Sequence, residues 1–345
     1  MKNNILEIGI PTYNRTWQLE KCLNSILVAF NELSLEEKKS IGIAISDNSI
    51  KDSLKTKNII NNFKGKFEIQ GIGYFNYHIN GFNIGPIDNL SSVYVNAKSD
   101  YIWLLPDDDV ARFDSLKTIL KMIHEHKPCF IAGGWSRKSK IGYFDDVIKN
   151  DDQQPNRTHS ILHGDDKIDT FLTQNTVQAQ EYVYKTAQLK KFFDQDVNIN
   201  LIAEMIPGLL AIYCMLDKAP VVLLEASVGL FRHDQPDEDS EWRHLWPRFA
   251  LQDWPSLSEK IYDLGYINKK QLRLSIGVYR DLLFKLAPYR PDVLLGINRK
   301  YGALSPLKLW HFHRTEYLKA LAKTIPAFIF EIGRRIRNLL SFKQK

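Results

Sequence analysis

Three adjacent carboxylates, Asp107, Asp108 and Asp109, follow the apolar run 101–105 after a single proline. Acidic side chains at the exit of a buried strand either lie in a solvated turn or bind a hard divalent cation, because an unpaired charge is costly in apolar surroundings. For an isolated cluster the turn is the commoner outcome, since Asp is frequent in loops. The predicted strands and helices around the cluster are therefore needed to distinguish a solvated turn from a cation site.

Strands alternate with helices on both sides of the acidic cluster. Short apolar runs of strand length occur at residues 5–10, 41–45, 72–77 and 101–105. Apolar residues recur at helical spacing from Leu19 to Phe30, and further helices are predicted at residues 53–63 and 86–98. This order predicts an α/β fold, with a mainly parallel sheet flanked by helices and ligands bound beyond the carboxyl ends of its strands.

Polar motifs follow three of the predicted strands. They are the segment 11–15 (Pro-Thr-Tyr-Asn-Arg), the segment 47–49 (Asp-Asn-Ser) and the acidic cluster, and we expect them to share one crevice. Simpler interpretations stay open for two members. Asp47 suits an Asx-turn after a strand, and Arg15 suits a surface position before a helix.

These motifs, together with Asn83-x-Gly85-x-x-x-Asn89, resemble the ordered signature of family 2 glycosyltransferases with a GT-A fold. The resemblance extends over residues 5–110, and the chain is most similar to bacterial transferases that build O-antigen or capsule polysaccharide. It implies a metal-dependent, inverting transfer of a sugar from a nucleoside-diphosphate sugar to a saccharide acceptor. The acceptor would be linked to a polyprenyl diphosphate.

The resemblance also implies roles for individual residues. Asp107 and Asp109 would bind a divalent cation, Mn²⁺ or Mg²⁺, with Asp109 as the direct ligand. Asp107 and Asp108 would contact the ribose, the donor sugar or metal-bound water, and Asp47 the nucleobase. The remaining donor-binding residues would be Pro11, Thr12, Tyr13, Asn14, Arg15 and Asn83.

An inverting transfer needs a general base that removes the proton of the acceptor hydroxyl. In the family this base is usually the Asp of a Glu-Asp pair that opens a helix, and the pair is absent at the expected place here. Glu204, before the apolar helix predicted at 206–216, is the candidate, with Asp194 and Asp196 as alternatives. An acid at a helix N-terminus is also favoured on electrostatic grounds alone.

His233, with Arg232 before it, follows the strand-like segment 226–231. By resemblance, His233 would complete the metal site, since neutral imidazole is a common metal ligand. A lone histidine followed by acids is more often structural. The polar segment 145–166 is predicted to be a loop.

Charge and composition separate two regions. With 345 residues and 44% hydrophobic content, the chain is long enough for a catalytic domain at 1–235 and a mainly helical region at 236–345. Residues 255–345 contain 18 Lys or Arg and 6 Asp or Glu, a net charge of +12. This region suits either an amphipathic surface on an anionic membrane or a helical cap with a solvated basic face. No nucleic-acid-binding motif accompanies the charge, so no nucleic-acid partner is expected.

Three cysteines without a metal-ligand pattern and the absence of a leader at the start favour the cytoplasm, with peripheral association at the inner face of the membrane. Two other functions stay open. A nucleotidyltransferase would be expected to carry a glycine-rich phosphate loop after its first strand, which the segment 11–15 is not. A non-catalytic scaffold with the same fold is compatible with the missing Glu-Asp pair.

Overall fold

The protein is described from a computed structural model, which gives residues 4–49, 53–133, 159–174, 181–194, 206–225, 227–230 and 254–275. The chain divides into two compact units. The first contains residues 1–170 and 176–237, and the second contains residues 171–175 and 238–345. Because little of the second unit is described, the assignment of 236–345 as a separate basic helical region stays a prediction.

The described residues contain ten strands, nine helices and a further helical stretch at 269–275. The strands are β1 (Leu6–Thr12), β2 (Ile41–Asp47), β3 (Tyr74–Ile79), β4 (Tyr101–Leu104), β5 (Val110–Ala111), β6 (Phe130–Ala132), β7 (His159–Leu162), β8 (Tyr182–Lys185), β9 (Val221–Leu224) and β10 (Gly229–Leu230). The helices are α1 (Thr16–Asn31), α2 (Leu35–Lys39), α3 (Ser53–Ile69), α4 (Pro86–Val95), α5 (Ser115–His126), α6 (Asp166–Gln174), α7 (Thr186–Phe193), α8 (Ile206–Met215) and α9 (Trp254–Asp263).

Eight of these strands form one sheet in the order β3-β2-β1-β4-β8-β6-β9-β7. Strands β3, β2, β1 and β4 are mutually parallel, as the alternation of strands and helices predicted. The second half of the sheet is mixed, because β8 runs antiparallel to β4 and β6, and β7 runs antiparallel to β9. The fold class is therefore α/β as expected, with antiparallel pairs in the half that the alternation pattern did not cover.

Several element boundaries differ from the prediction. Helix α3 continues to Ile69, about two turns beyond the predicted end. The predicted loop at 145–166 contains β7 at His159–Leu162, which pairs with β9. The prediction was wrong there because β7 is an edge strand whose four side chains are exposed or half-buried, and it lacks the apolar alternation of a half-buried strand.

The core lies between the sheet and helices on its two faces. On one face, α1 packs against α3 and α5, and Phe30 meets Phe67 edge to face at a ring distance of 5.4 Å. On the other face α4 packs on β1 and β2, where a Cβ at Gly9 would lie 2.3 Å from Val93. A glycine in the middle of β1 thus lets α4 approach the sheet closely.

A buried carboxylate lies near the amino end of β1. Glu7, Gly42 and Tyr74 lie side by side on β1, β2 and β3. The Tyr74 hydroxyl donates to Glu7 Oε2 across Gly42, where a Cβ would lie 2.1 Å from the Tyr74 ring. The backbone N–H of Lys98 also donates to Glu7 Oε2, at 3.0 Å. Burial raises the pKa of Glu7 above its ordinary value of 4.5.

The three cysteines, Cys22, Cys129 and Cys214, are buried and form no disulfide. Among the described residues, no helix is both long enough and apolar enough to cross a membrane. The tail beyond residue 275 carries most of the net positive charge of residues 255–345, and it lies outside the described residues.

Candidate active site

The three polar motifs predicted to share a crevice contact one another at the carboxyl ends of β1, β2 and β4. The hydroxyl of Thr12 donates to Asp107 Oδ2 at 2.6 Å, and this bond joins the end of β1 to the acidic cluster. The backbone N–H of Asn14 donates to Ser49 Oγ at 2.8 Å and joins β1 to the end of β2. Since the strands are parallel, residues far apart in sequence meet at one edge of the sheet.

The acidic cluster forms a turn whose two outer carboxylates are buried. Asp109 N–H donates to Pro106 O at 3.0 Å, which closes a four-residue turn with Asp107 and Asp108 at its centre. Asp107 is 3% exposed and Asp109 is 4% exposed, whereas the Asp108 side chain is half-exposed. The backbone is therefore a turn, but Asp107 and Asp109 are shielded from solvent.

Burial makes ionisation of Asp107 energetically unfavourable. Desolvation raises the pKa of Asp107 to about 7, the neighbouring Asp108 charge adds to the rise, and Arg15 and Thr12 oppose it. A positive group close to Asp107 would favour its ionised form. The side chain is therefore poised to gain or lose a proton near neutral pH, according to which cation lies beside it.

Arg15 supplies a positive group at the acidic turn. Its Nη1 lies 3.2 Å from Asp107 Oδ1 and 2.6 Å from Asp108 Oδ2, and its side chain is 47% exposed. The preceding residue, Asn14, has a φ of 53°, a left-handed conformation that asparagine tolerates well. Arg15 lies at the N-cap of α1 but makes no side-chain cap bond. Its guanidinium therefore binds the carboxylates, and the position before a helix is only part of its role.

Asp47 is buried at the end of β2, and both of its oxygens have a partner. Its Oδ1 accepts from Ser49 N–H at 2.7 Å, which is the contact of an Asx-turn. Its Oδ2 accepts from the Tyr77 hydroxyl at 2.7 Å. Burial and the adjacent Asp47 raise the pKa of Tyr77, so its hydroxyl stays a donor. A carboxylate can accept about four hydrogen bonds, so the predicted bond to a nucleobase stays compatible with these contacts.

Asparagine side chains connect the loop after β3 to the end of β2. The Nδ2 of Asn48 donates to Asn83 Oδ1 at 3.2 Å and to Gly85 O at 3.0 Å. Gly85 has a φ of 90° and precedes Pro86, the first residue of α4. A glycine is favoured there because other residues rarely adopt that φ. Asn83 therefore lies at the predicted edge, where its side chain helps to fix the start of α4.

Asn80, which the sequence analysis did not single out, continues this network. Its Nδ2 donates to Asn48 Oδ1 at 2.7 Å and to Asn89 Oδ1 at 3.1 Å, and Asn89 Nδ2 donates to Thr12 O at 3.2 Å. The ends of β1, β2 and β3 and the helix α4 are thereby linked through amide groups. No local pattern marks Asn80, because its partners come from three different segments.

Pro11 and Tyr13 flank Thr12 at the end of β1. Pro11 is half-buried and pairs with Ser46 of β2, whereas Tyr13 is 43% exposed. An exposed aromatic ring and a proline beside a carboxylate suit the wall of a pocket for a flat ring. Their assignment as part of a nucleobase pocket stays a prediction.

Glu181, directly before β8, is a second buried acid at this edge that the sequence analysis missed. Its Oε2 accepts from Val228 N–H at 3.1 Å, and a Cβ at Gly133 would lie 2.3 Å from Oε2. Val228 O in turn accepts from Arg112 N–H at 3.1 Å. Glu181 thereby anchors the segment that forms β10 beside β5, immediately after the acidic turn. An acid before an apolar strand was the available signal.

The donor set of the acidic turn fits a hard divalent cation. Asp107 and Asp109 supply carboxylate oxygens, and Mg²⁺ is commonly held by one or two carboxylates together with substrate phosphates. Within the described ranges, no group of three or more His, Cys, Asp or Glu side chains is placed to hold a metal ion. The protein alone would thus supply a small part of the coordination, and a phosphate ligand and water would complete it.

The two remaining predicted residues cannot be placed. Glu204, the candidate base, and His233, the candidate metal ligand, lie outside the described residues, as does Asp196. Asp194 is exposed at the C-cap of α7. The identity of the base and the histidine ligand therefore stay predictions.

Comparison with known proteins gives the same family as the motifs. The family model described as Glycosyl transferase family 2 matches residues 7–177. Among curated proteins, the chain is 34% identical over 114 residues to abequosyltransferase RfbV of Salmonella typhimurium. That match covers 32% of this chain and spans only 30% of the relative's length.

Solved structures show the same fold at low identity. The chain resembles S. aureus TarS 1–349 in complex with UDP-GlcNAc, with a TM-score of 0.56, 14% identity and coverage of 92% of this chain and 81% of that one. It also resembles the mannosyltransferase PcManGT of Pyrobaculum calidifontis in complex with GDP-Man and Mn²⁺. There the TM-score is 0.50 at 11% identity, and the coverage is 94% of this chain and 87% of that one.

The GT-A fold predicted from the motifs is thus confirmed by structural similarity, and the family by the sequence match. Both agree with the position of the acidic turn at the carboxyl ends of parallel strands. Residues 7–177, which contain Thr12, Asp47 and the turn from Asp107 to Asp109, match glycosyl transferase family 2.

Proposed function

We propose that the protein is a glycosyltransferase that moves a sugar from a nucleoside-diphosphate sugar to a saccharide acceptor. One observation carries this proposal: the contacts that join Thr12, Asp107 and Arg15 at the carboxyl ends of β1 and β4, within a family 2 domain. Ligands of open α/β sheets bind at this edge. Structures of TarS and PcManGT, which share the fold, have been solved in complex with sugar nucleotides.

The edge divides into a side for the nucleobase and a side for the ribose, the phosphates and the donor sugar. Asp47, held in place by Tyr77 and Ser49, would accept a hydrogen bond from the nucleobase, beside the wall formed by Pro11 and Tyr13. On the other side, Asp107 and Asp108 would contact the ribose or the donor sugar. The backbone N–H of Asn14 and the side chain of Asn83 fix loops at the same edge.

A divalent cation, Mn²⁺ or Mg²⁺, would be held by Asp109 and Asp107. When bound, it would stabilise the negative charge that develops on the departing nucleoside diphosphate. The described side chains would orient that leaving group. The presence of Mn²⁺ in the PcManGT complex supports a cation in this fold.

Inversion at the sugar would require a base on the face opposite the leaving group. Glu204 is the proposed base, since it precedes α8 on the chain, and Asp194 is the described alternative. His233 is proposed to join the cation site from the segment that follows β10. Glu181 supports this arrangement, because it anchors β10 beside the acidic turn.

The acceptor is proposed to be a bacterial surface polysaccharide, O-antigen or capsule, on a polyprenyl diphosphate carrier. The similarity to an abequosyltransferase supports a saccharide acceptor. The net charge of +12 over residues 255–345 supports a cytoplasmic protein that associates with an anionic membrane surface.

The test is a panel of UDP-, GDP-, dTDP- and CDP-sugars, assayed for hydrolysis and transfer with Mn²⁺, Mg²⁺ or EDTA. Wild type is compared with Asp109→Ala and with Asp263→Ala, a matched control at the exposed last residue of α9. We expect metal-dependent turnover of one donor, lost in Asp109→Ala and retained in Asp263→Ala. Removal of a group that stabilises charge in the transition state costs about 100-fold or more in kcat.

Three outcomes would contradict the proposal. Equal turnover in Asp109→Ala and wild type would remove the acidic turn from the site. Failure of every donor to bind, even with lipid-linked acceptors from bacterial membranes present, would favour a non-catalytic protein that keeps the fold. Release of diphosphate from a nucleoside triphosphate and a sugar phosphate would instead indicate a nucleotidyltransferase.

A further inference from the structure

The guanidinium of Arg15 contacts carboxylate oxygens of two residues in the acidic turn. Its Nη1 contacts Asp107 Oδ1 and Asp108 Oδ2, at 3.2 and 2.6 Å. The other oxygen of Asp107 accepts from Thr12 at 2.6 Å. Both oxygens of the buried carboxylate therefore already have a donor, and one of these donors carries a full positive charge.

The Arg15 contacts offset part of the free-energy cost of burying the ionised Asp107 carboxylate. An ionised carboxylate with only 4% side-chain exposure is expensive unless a cation lies beside it, and the guanidinium provides that cation. The pairing is incomplete, because two carboxylates, Asp107 and Asp108, share one guanidinium. The three side chains together therefore keep a net negative charge and attract further cations.

A divalent cation and Arg15 would compete for the same atoms. Coordination requires a lone pair of a carboxylate oxygen, and a guanidinium within hydrogen-bond distance of Asp107 Oδ1 both uses such a lone pair and repels the incoming charge. Arg15 can leave without unfolding anything, since its side chain is 47% exposed and takes no part in capping α1. A nucleoside diphosphate would offer the released guanidinium an alternative anion.

We infer that Arg15 is an internal counter-cation, which holds Asp107 and Asp108 while the donor is absent and exchanges for a divalent cation when a nucleoside diphosphate binds. This inference rests on the proposed function, because it assumes a divalent cation at the acidic turn. It makes cation binding weak in the donor-free protein and couples it to nucleotide binding. By linkage, the cation must strengthen nucleotide binding by the same factor.

The experiment is a titration of the donor-free full chain with Mn²⁺, followed through the loss of the electron paramagnetic resonance signal of free Mn²⁺. The variants are Arg15→Gln, which removes the charge, and Arg15→Lys, which keeps a positive charge but lacks the planar guanidinium. Arg273→Gln, at an exposed position after α9, is the matched control. Thermal unfolding of each variant confirms that it is folded.

We expect Arg15→Gln to bind Mn²⁺ roughly tenfold more tightly than wild type, a difference equal to ~1.4 kcal/mol. Arg15→Lys should lie between the two, and Arg273→Gln should match wild type. A repeat with UDP, GDP, dTDP or CDP should tighten Mn²⁺ binding in wild type much more than in Arg15→Gln. The reason is that the variant has no cation to displace.

Equal or weaker Mn²⁺ binding by Arg15→Gln would overturn the inference. The absence of Mn²⁺ binding to both proteins would also overturn it, because removal of the competing charge should expose the carboxylates. Neither result decides the proposed function, which the sugar-nucleotide panel tests through Asp109→Ala. If that panel shows metal-dependent transfer while Arg15→Gln leaves Mn²⁺ affinity unchanged, Arg15 acts only on the donor.

Discussion

Two buried carboxylates, Glu7 and Asp107, lie toward opposite ends of the parallel half of the sheet, and burial raises the pKa of both. Glu7 is enclosed by the hydroxyl of Tyr74 and the backbone N–H of Lys98. Asp107 accepts from a hydroxyl as well, but its second oxygen contacts the half-exposed Arg15. Burial and a perturbed pKa therefore do not distinguish a functional acid from a structural one.

The partners distinguish the two acids. Tyr74 reaches Glu7 across Gly42, in a space that a single methyl group would fill, so no room is left for a ligand. Arg15 can move into solvent, and Asp108 beside it is half-exposed, so the charges around Asp107 can be rearranged when a ligand binds. The carboxyl ends of parallel strands favour the second arrangement because loops, which can adapt, follow them.

The largest effect is expected for Asp107→Asn. Asparagine keeps the shape and a partner for Thr12 but removes the charge that would hold a cation, so kcat/KM should fall about 100-fold or more. Stability should not fall, since the change removes a buried charge. The measurements are sugar transfer and thermal unfolding of the same preparation.

Glu7→Gln provides the contrast for Asp107→Asn, because it neutralises the other buried acid. It should leave kcat/KM unchanged. Equal losses of activity in the two variants would mean that the two acids do not differ in function.

A smaller effect, on stability alone, is expected for Gly42→Ala. The added Cβ would lie 2.1 to 2.5 Å from atoms of the Tyr74 ring, so the ring must move away from Glu7. Overpacking of this kind costs about 1–3 kcal/mol, which urea unfolding would measure. Activity per folded molecule should stay at the wild-type level.

Gly65→Ala is the control for Gly42→Ala, since a Cβ at that position in α3 meets nothing within 4 Å. It should stabilise the protein by roughly 0.5–1 kcal/mol, through helix propensity. A loss of activity in Gly42→Ala without a loss of stability would contradict the division between the two ends of β1.

The smallest effect is expected in the pH dependence of stability. The pKa of Glu7 is raised in the folded state, so the folded protein holds this proton more tightly than the unfolded chain. The stabilisation is complete below the unfolded pKa near 4.5 and is lost as the pH rises through the higher folded value. The stability of wild type relative to Glu7→Gln should therefore decrease as the pH rises from 4.5. Urea unfolding of both proteins at several pH values measures the difference, and parallel curves would rule out a raised pKa.

Much of the first half of the fold was predictable because its signals are local. Apolar runs of strand length and helical spacing identified β1, α1, β2 and β4 in the right order. The antiparallel half was not predictable in the same way. Strand β7 has no buried side chain, and the direction of β8 depends on its pairing with β4 and β6, which no local pattern records.

In the candidate site, too, the residues marked by local signals were predicted and those fixed by distant partners were not. The residue types and their order identified the acidic turn, Asp47 and the segment 11–15, because polar residues after strands of a parallel sheet must lie at one edge. Asn80 and Glu181 were missed, since their side chains bond to partners in other segments.

By itself, then, the sequence determined the order of the elements in the first half of the fold, the family, and the acids that follow β2 and β4 at the carboxyl edge. Only the tertiary structure decided which acid lies against which partner: Glu7 against Tyr74 across Gly42, and Asp107 against Arg15 from 92 residues away. The physical reason is range. Helices and strands follow from interactions among neighbouring residues, whereas the environment of a buried charge is set by groups that only the packing of the sheet brings together.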